Sequence, residues 1–354
     1  MDLMEPVGSQ PGERARDVAD ILRRQRIVEL PTAPDAATAL GDAALVALGA
    51  PSVHNTQPWH WRVCTDRLQL YADERWRLPM ADPDGRLLML SCGVGLHHAR
   101  VALRAMGYLP AVRRFPDQNQ PGLLATVTVD RPIPVTERAR DLVRATASRQ
   151  TDRRPVTDLA LPGPAITAMR RAAGSEGAWL HLLNPEQTRK LLAAAEHAER
   201  AEFAESGYRR ELAAWTDRPE GATAGIPGTV LPPRGDGYQA NGSYTVLYGT
   251  GDRRGNWLRG GEALSAVWLD AIVHGLVVQP ISSVIEVPAG RAALHLLLSG
   301  IGCPYLVLRI GVPETVAAVV STPRRAARES IDTATSAATA TDEASASGAE
   351  PEPR

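Results

Sequence analysis

The hydrophobic positions of the chain follow a helical period in two blocks that match each other. Gly93–Met106 and Gly261–His274 each open with Gly-x-x-Leu, carry apolar residues at helical spacing, and stop before a glycine that can cap the helix. A β-rich run follows each block, Leu123–Val129 after the first and Tyr305–Ile310 after the second. The pattern predicts a duplicated helix-plus-strand unit. A chance match is the alternative, since glycine-ended amphipathic helices are common.

The same pattern divides the chain into a folded body and two tails. Residues 1–16 are rich in Pro, Gly and charge, and residues 326–354 hold one large apolar residue, Ile331. Such segments bury too little surface to offset their ordering entropy, so we expect disorder in both. The body comprises a first half, 17–135, and a second half, 136–325. Within the latter, the Gly- and Pro-dense segment 215–244 is expected to form a lid, with a floppy insertion as the alternative.

The amino-acid composition excludes several classes of partner and of phosphate-binding site. The 354 residues are 44% hydrophobic and 22% charged, and the formal net charge is -1, so we expect neither nucleic acid nor an anionic membrane as a partner. Lys190 is the only lysine, which excludes a P-loop lysine and disfavours a lysine Schiff base. Any bound phosphate must therefore be held by arginines, backbone N–H groups or hydroxyls.

Cysteine and histidine usage gives no sign of a metal. The three cysteines are scattered and lack C-x-x-C spacing, so neither a disulfide framework nor a zinc site is expected. His97 and His98 are adjacent and point in different directions on a helix, so we expect one packed and one exposed residue rather than ligands. The N-terminus lacks a signal-peptide core, and no stretch is apolar enough to span a bilayer. A cytoplasmic protein is expected.

Ala50–Trp61 concentrates polar side chains on a turn. Two prolines fix its backbone, and donors and acceptors come from Ser52, His54, Asn55, Thr56 and Gln57. Polar groups on a rigid turn beside Trp59 and Trp61 suit a flat heteroaromatic ligand that needs edge hydrogen bonds and apolar cover. A capped turn beside a buried tryptophan cluster fits the pattern equally well.

Two arginine-rich segments are candidates for binding phosphate. The first is Arg149-Gln150-Thr151-Asp152-Arg153-Arg154-Pro155, which follows a helical run, and the second is Arg324-Arg325. Guanidinium groups and a hydroxyl at a helix end can form bidentate bonds to phosphate. Each segment alone is also typical of a solvated surface patch.

In combination, these motifs resemble the nitroreductase family. Pro51-Ser52-x-x-Asn55-x-Gln57-Pro58-Trp59 resembles its flavin-binding turn, and Arg149-x-Thr151-x-Arg153 resembles its Arg-x-Ser-x-basic element. The pattern from Ala36 to Arg325 is similar to the Acg-type branch, in which two halves are joined in one polypeptide. The resemblance implies an α+β nitroreductase-like fold, with two fused pseudo-symmetric halves that each pack helices on a small mixed or antiparallel sheet.

The resemblance also implies one site for flavin mononucleotide (FMN), built from both halves. The flavin and ribityl contacts would come from Ser52, Asn55 and Gln57, and the adjoining wall from Pro58, Trp59, His60 and Trp61. Arg149, Arg324 and Arg325 would grip the phosphate, beside Thr151. Backbone groups would face the ring at Pro280, Ile281 and Ser282. Arg153 takes the place of a lysine found in many members and would stabilise reduced flavin.

The implied activity is an FMN-dependent oxidoreductase working by ping-pong hydride transfer. NAD(P)H would reduce the flavin, and an aromatic acceptor such as a nitro compound or quinone would reoxidise it. The alternative is an FMN storage or sequestration protein whose lid occludes a non-catalytic site. The first half lacks a matching arginine element before Pro51, so no second flavin site is expected. The fused chain would act as a monomer or a weak homodimer.

Overall fold

The protein is represented by a computed structural model, which describes residues 35–216, 218, 222–226, 241–315 and 322–333. The expected N-terminal tail, 1–16, lies outside the described residues, as does most of the expected lid, 215–244.

The first half is an α+β unit with an antiparallel sheet. Its elements in chain order are α1 (Ala36–Ala47), β1 (Trp59–Val63), β2 (Arg67–Ala72), α2 (Arg86–Ala105), β3 (Tyr108–Arg114) and β4 (Leu123–Pro132). The strands are ordered β3-β4-β2-β1. α1 begins where the Asp35 carboxylate accepts a hydrogen bond from the Thr38 backbone N–H at 2.8 Å, a standard helix N-cap.

The helix α3 (Glu137–Ser148) connects the halves and packs on long helices from both of them. The second half comprises α4 (Gly163–Ser175), β5 (Trp179–Leu182), α5 (Pro185–Ala204), α6 (Ser206–Thr216), β6 (Ser243–Gly249), α7 (Arg254–Val273), β7 (Val277–Ile281), α8 (Ser283–Glu286), α9 (Pro288–Leu297) and β8 (Cys303–Gly311). Its sheet order, β7-β8-β6-β5, repeats that of the first half. The predicted duplication is confirmed.

The two long helices, α2 and α7, cross at a close contact about which the halves are symmetric. A Cβ on Gly93 would collide with the Leu258 carbonyl oxygen, and a Cβ on Gly261 would collide with the Leu90 carbonyl oxygen. These two clashes are reciprocal, as expected of an isologous interface. The matched Gly-x-x-Leu motifs therefore mark the place where the two backbones touch.

The histidines of α2 are both buried, which contradicts the expectation that one would be exposed. His97 is 7% exposed and His98 is 0% exposed. The reason is that α2 is packed by α1, α3 and α7 and has little face left for solvent. His97 Nδ1 lies 2.8 Å from the Ser265 hydroxyl, 168 residues further along the chain. None of the described helices is long and apolar enough to cross a membrane.

The start of the predicted C-terminal tail is wrong. Residues 327–333 form the helical turn α10 (Ala327–Ser330) and the strand β9 (Ile331–Thr333), which pairs in parallel with Trp61–Val63 of the first half. Main-chain hydrogen bonds at a sheet edge order this segment, so it needs little apolar surface of its own. Residues from 334 onward lie outside the described part of the chain.

Candidate cofactor site

The turn between α1 and β1 has a strained backbone. His54, Asn55 and Gln57 have positive φ angles of 43°, 54° and 53°. The Ser52 hydroxyl closes the turn by accepting a hydrogen bond from the Gln57 backbone N–H at 2.8 Å. Left-handed residues other than glycine cost on the order of 1–3 kcal/mol each and cluster at binding sites, where their surroundings hold them. The strain is therefore consistent with a binding role for this turn.

The Asn55 side chain joins three segments that are distant in sequence. Its Nδ2 donates to the Gly225 carbonyl at 3.1 Å and to the Pro323 carbonyl at 3.0 Å. Its Oδ1 accepts a hydrogen bond from Arg324 Nη1 at 3.1 Å. Both ends of this amide are therefore engaged by protein groups, so Asn55 fixes the turn, the lid segment and the C-terminal arginines relative to one another.

Gln57 makes a parallel set of contacts. Its Nε2 donates to the Thr223 carbonyl at 2.9 Å, and its Oε1 accepts from the Arg325 backbone N–H at 2.8 Å. The side chains of Asn55 and Gln57, which the resemblance placed against flavin, thus hold residues 223–225 and 323–325 on the turn. Ala224 and Ile226 are buried there, and the Ile226 N–H donates to the Trp215 carbonyl at 2.8 Å.

The side chains of the expected wall from Pro58 to Trp61 divide between the two faces of β1. Trp59 and Trp61 are both 0% exposed and pack against Gly95 of α2. His60 lies on the opposite face of β1, with Nε2 2.8 Å from the Asp332 carboxylate. The Pro58 carbonyl accepts the Asp73 backbone N–H at 3.1 Å. Strand alternation explains this division, because neighbouring side chains of β1 must leave opposite faces of the sheet.

Arg149 follows the end of α3 and is buried without a carboxylate partner among the described residues. Its guanidinium stacks on the Trp268 ring of α7, with 4.6 Å between the guanidinium carbon and the ring centroid. Within the described ranges, neither Nε nor Nη1 has a hydrogen-bond partner. Burial, and then the charge of Arg324, lowers the pKa of Arg149 to about 9. A buried guanidinium with unused donors is a strong indication of an anion site.

The half-buried Arg324 and the fully buried His98 complete this group, which we call the buried cationic cluster after its two interior members: Arg149, Arg324 and His98. Arg324 Nη2 donates to the Gly49 carbonyl at 3.2 Å. Neither ring nitrogen of His98 has a hydrogen-bond partner among the described residues. Burial lowers the pKa of His98 to about 3, with further contributions from the charges of Arg149 and Arg324. The cluster combines the first half, the end of α3 and the C-terminal segment.

Arg325, which the resemblance places on the phosphate, makes most of its contacts with the first half. Its Nη1 donates to the Gln57 carbonyl at 3.1 Å and lies 3.9 Å from the Asp73 carboxylate. Its guanidinium also stacks on Trp76, with its carbon 4.3 Å from the ring centroid. These contacts join the C-terminal segment to the first half, while Arg325 Nε has no hydrogen-bond partner among the described residues, so a phosphate contact from Arg325 stays a prediction.

The remaining predicted residues lie together on the second half. Thr151 forms a parallel bridge with Val278, and the Asp152 N–H donates to the Val278 carbonyl at 3.2 Å. Pro280 and Ile281 follow Val278 in β7, and Ser282 comes directly after the strand ends. Burial, and then the charge of Arg153, lowers the pKa of His54 to about 4. The charge of Arg153, in the second half, therefore acts on the turn of the first half.

Comparison with known proteins decides the family. No family profile matches the chain. A Mycobacterium tuberculosis (strain H37Rv) protein named "Putative NAD(P)H nitroreductase Rv3131" is 36% identical over 315 residues, 82% of this chain and 90% of the relative. Another from the same strain, named "Putative NAD(P)H nitroreductase acg", is 30% identical over 305 residues, 80% of this chain and 92% of the relative. The chain belongs to the nitroreductase family.

The comparison with solved structures also returned nitroreductases. The FMN-dependent nitroreductase NfnB of Mycobacterium smegmatis, in complex with NADPH, aligns with 55% of this chain and 97% of its own. The TM-score is 0.39 and the sequence identity is 15%.

In this chain, the internal symmetry relates the surroundings of Trp268 to a second position. The arrangement of charged groups at that second position differs from the buried cationic cluster. Arg100 of α2 precedes Trp268 of α7 by the same 168 residues that separate His97 from Ser265. Arg100 Nη1 lies 2.7 Å from carboxylates of both Glu176 and Glu262, and Arg114 binds Glu262 through two bonds of 2.7 and 2.8 Å. Protein carboxylates neutralise the arginines there, in contrast to Arg149.

Sequence reasoning missed two histidines at the site. His98 was assigned only to helix packing, because helical periodicity shows that a position is buried but not which group it faces. His54 was counted among the donors of the turn, and its proximity to Arg153 depends on how the halves meet. The Ala50–Trp61 motif was the signal that could have indicated His54.

Proposed function

We propose that this chain is an FMN-dependent NAD(P)H oxidoreductase whose cofactor phosphate binds in the buried cationic cluster. The observation that carries the proposal is Arg149, a buried guanidinium stacked on Trp268 with two unused donors. Such a group is costly to bury unless an anion neutralises it. A phosphate monoester brings close to two negative charges and three acceptor oxygens.

The donor set of the cluster fits that group. Arg149 offers Nε and Nη1, and His98 offers a ring nitrogen, all of them buried. Arg324 adds a second guanidinium, whose charge contributes to lowering the pKa of Arg149. Lys190, the only lysine of the chain, is not part of the cluster, so arginines would carry the charged contacts to the phosphate. The residues present therefore suit a phosphate, and the neighbouring turn provides a place for the group attached to it.

A bound flavin supplies hydride transfer from a reduced nicotinamide to an electron-poor acceptor, for which we propose nitroaromatic or quinone-like compounds. Arg153 contributes a positive charge beside the turn, where it would favour electron density on the ring. Residues 223–226 cover the turn and limit the access of water. Asn55 and Gln57 hold that cover in position through their amide groups.

One observation favours the second candidate, FMN storage or sequestration. The lid residues are closed on the turn: the Gly225 N–H donates to the Asn55 carbonyl at 3.4 Å, and Ile226 is 8% exposed. A lid that stays closed would leave no room for an acceptor to reach the flavin. Storage therefore requires a permanent cover, whereas turnover requires one that opens.

The deciding experiment is anaerobic reduction of the FMN-loaded protein. NADPH should bleach the flavin absorbance, and a nitroaromatic should restore it, with the flavin remaining bound throughout. Flavin that dithionite bleaches but NADPH does not would identify a storage protein. A protein that takes up no FMN from excess cofactor would contradict both candidates.

A further inference from the structure

The cluster contains a titratable residue, His98, to which the family resemblance assigns no role. It comes from the middle of α2, whereas Arg149 follows α3 and Arg324 lies in the C-terminal segment. Its side chain is 0% exposed, and neither ring nitrogen is hydrogen-bonded to a described residue. A buried imidazole normally has a partner for at least one nitrogen, so His98 lacks a ligand that the site should supply.

We propose that His98 is the third ligand of the phosphate, and that it takes up a proton from solvent when the phosphate binds. This inference rests on the proposed function. The charged groups that face His98 are Arg149 and Arg324, and its titratable neighbour on α2 is His97. Both guanidinium charges oppose protonation in the free protein. A phosphate dianion reverses that effect, because it neutralises the arginines and favours an imidazolium beside it.

The inference also specifies the ligand chemistry. His98, Arg149 and the stacked Trp268 are all at least nine-tenths buried, whereas Arg324 is half-buried, so His98 and Arg149 form the interior end of the cluster. A ligand whose last group is a phosphate monoester can place that phosphate in such an interior site, whereas a phosphodiester carries a further group beyond its phosphate that would also need space. The cluster should therefore accept FMN and reject FAD, whose phosphate is esterified on both sides.

The proposal is tested with the full chain and three variants. His98→Leu removes the ring nitrogens, His98→Gln retains a donor, and His274→Gln changes an exposed histidine at the end of α7 as a matched control. Dissociation constants for FMN, FAD and riboflavin are measured by flavin fluorescence. Proton uptake on FMN binding is measured near pH 6 by calorimetry in buffers of different ionisation enthalpy. Riboflavin affinity serves as the measure of an intact fold.

We expect His98→Leu to weaken FMN binding by about 10- to 100-fold, as for loss of one hydrogen bond to a charged group, and to leave riboflavin affinity unchanged. Proton uptake on FMN binding should occur in the wild type and in His274→Gln, and it should be lost in His98→Leu. His98→Gln should recover part of the FMN affinity that His98→Leu loses, but it should not take up a proton. If the wild type prefers FMN to riboflavin but His98→Leu keeps that preference and the proton uptake, His98 is not a ligand. If the wild type shows no preference for FMN, the proposed function itself fails.

Discussion

Replacing Arg149 by methionine should stabilise the ligand-free protein. Burial lowers the pKa of Arg149 from 12.5 to about 9. That shift corresponds to an upper bound of about 5 kcal/mol for holding its charge in place. Methionine preserves apolar contact with Trp268 but loses a cation–π contact worth about 1–2 kcal/mol. We therefore expect the free energy of unfolding to rise by about 2 kcal/mol, as when buried ion clusters are replaced by apolar residues.

The same change should weaken FMN binding strongly. Arg149 has two unused donors, and hydrogen bonds to a charged partner contribute about 1.5–3 kcal/mol each, so the affinity should fall by about 10²- to 10⁴-fold. Riboflavin, which lacks the phosphate, should bind with little change.

Urea unfolding without ligand and fluorescence titration with each flavin measure these opposite effects. Arg170→Met, at an exposed position of α4, is the matched control and should change unfolding by less than about 0.5 kcal/mol. A ligand-free Arg149→Met protein that is destabilised by 2 kcal/mol or more, on the order of losing a satisfied buried contact, would refute the reasoning. Arg149 would then be a structural residue with adequate partners.

Three further predictions follow from other parts of the molecule. Gly93→Ala should destabilise the protein by roughly 3 kcal/mol or more in urea unfolding, because the added Cβ would meet the backbone of α7. Gly41→Ala is the control: it has open space around its position in α1 and should stabilise the protein by up to about 1 kcal/mol. Equal effects of the two changes would contradict the close crossing of α2 and α7. Asn55→Leu should release the lid, so that the FMN-loaded protein oxidises NADPH faster and a protease cleaves the chain near Thr223 faster. Unchanged rates of both reactions would show that Asn55 does not hold the lid. Burial lowers the pKa values of His54 and His98 to about 4 and 3, so below pH 6.5 the unfolded state binds protons that the native state does not. The ligand-free protein should therefore lose stability as pH falls from 6.5 towards 4, by up to about 1.4 kcal/mol per pH unit for each histidine. A free energy of unfolding that stays constant over that range would contradict their burial in neutral form.

The duplicated fold was predictable because its geometry constrains the sequence directly. Two helices that touch backbone to backbone need a glycine on each, and Gly93 and Gly261 therefore appear as a repeated motif with fixed spacing. The strand β9 was not predictable in the same way. This strand is held in place by main-chain pairing with β1. Polar residues such as Asp332 and Thr333 give no apolar pattern from which that pairing could be predicted.

The candidate site was predictable in its chemistry but less so in the role of each residue. The turn and Arg149 were identifiable because strained turns and arginine-rich helix ends have recognisable compositions. The alternation of β1 requires Trp59 and Trp61 to share a face that His60 does not, so the three side chains cannot all line one surface. Whether Arg325 or His98 faces the phosphate depends on packing between distant segments, which local patterns do not encode.

The most direct test of the account is the ratio of the dissociation constants of riboflavin and FMN for the unaltered chain, measured side by side by fluorescence titration. A phosphate held by the buried cationic cluster predicts that FMN binds at least about 100-fold more tightly than riboflavin, since two or more charge-assisted hydrogen bonds separate the ligands. Equal affinities, or no binding of either flavin, would contradict the claim that this cluster binds the cofactor phosphate.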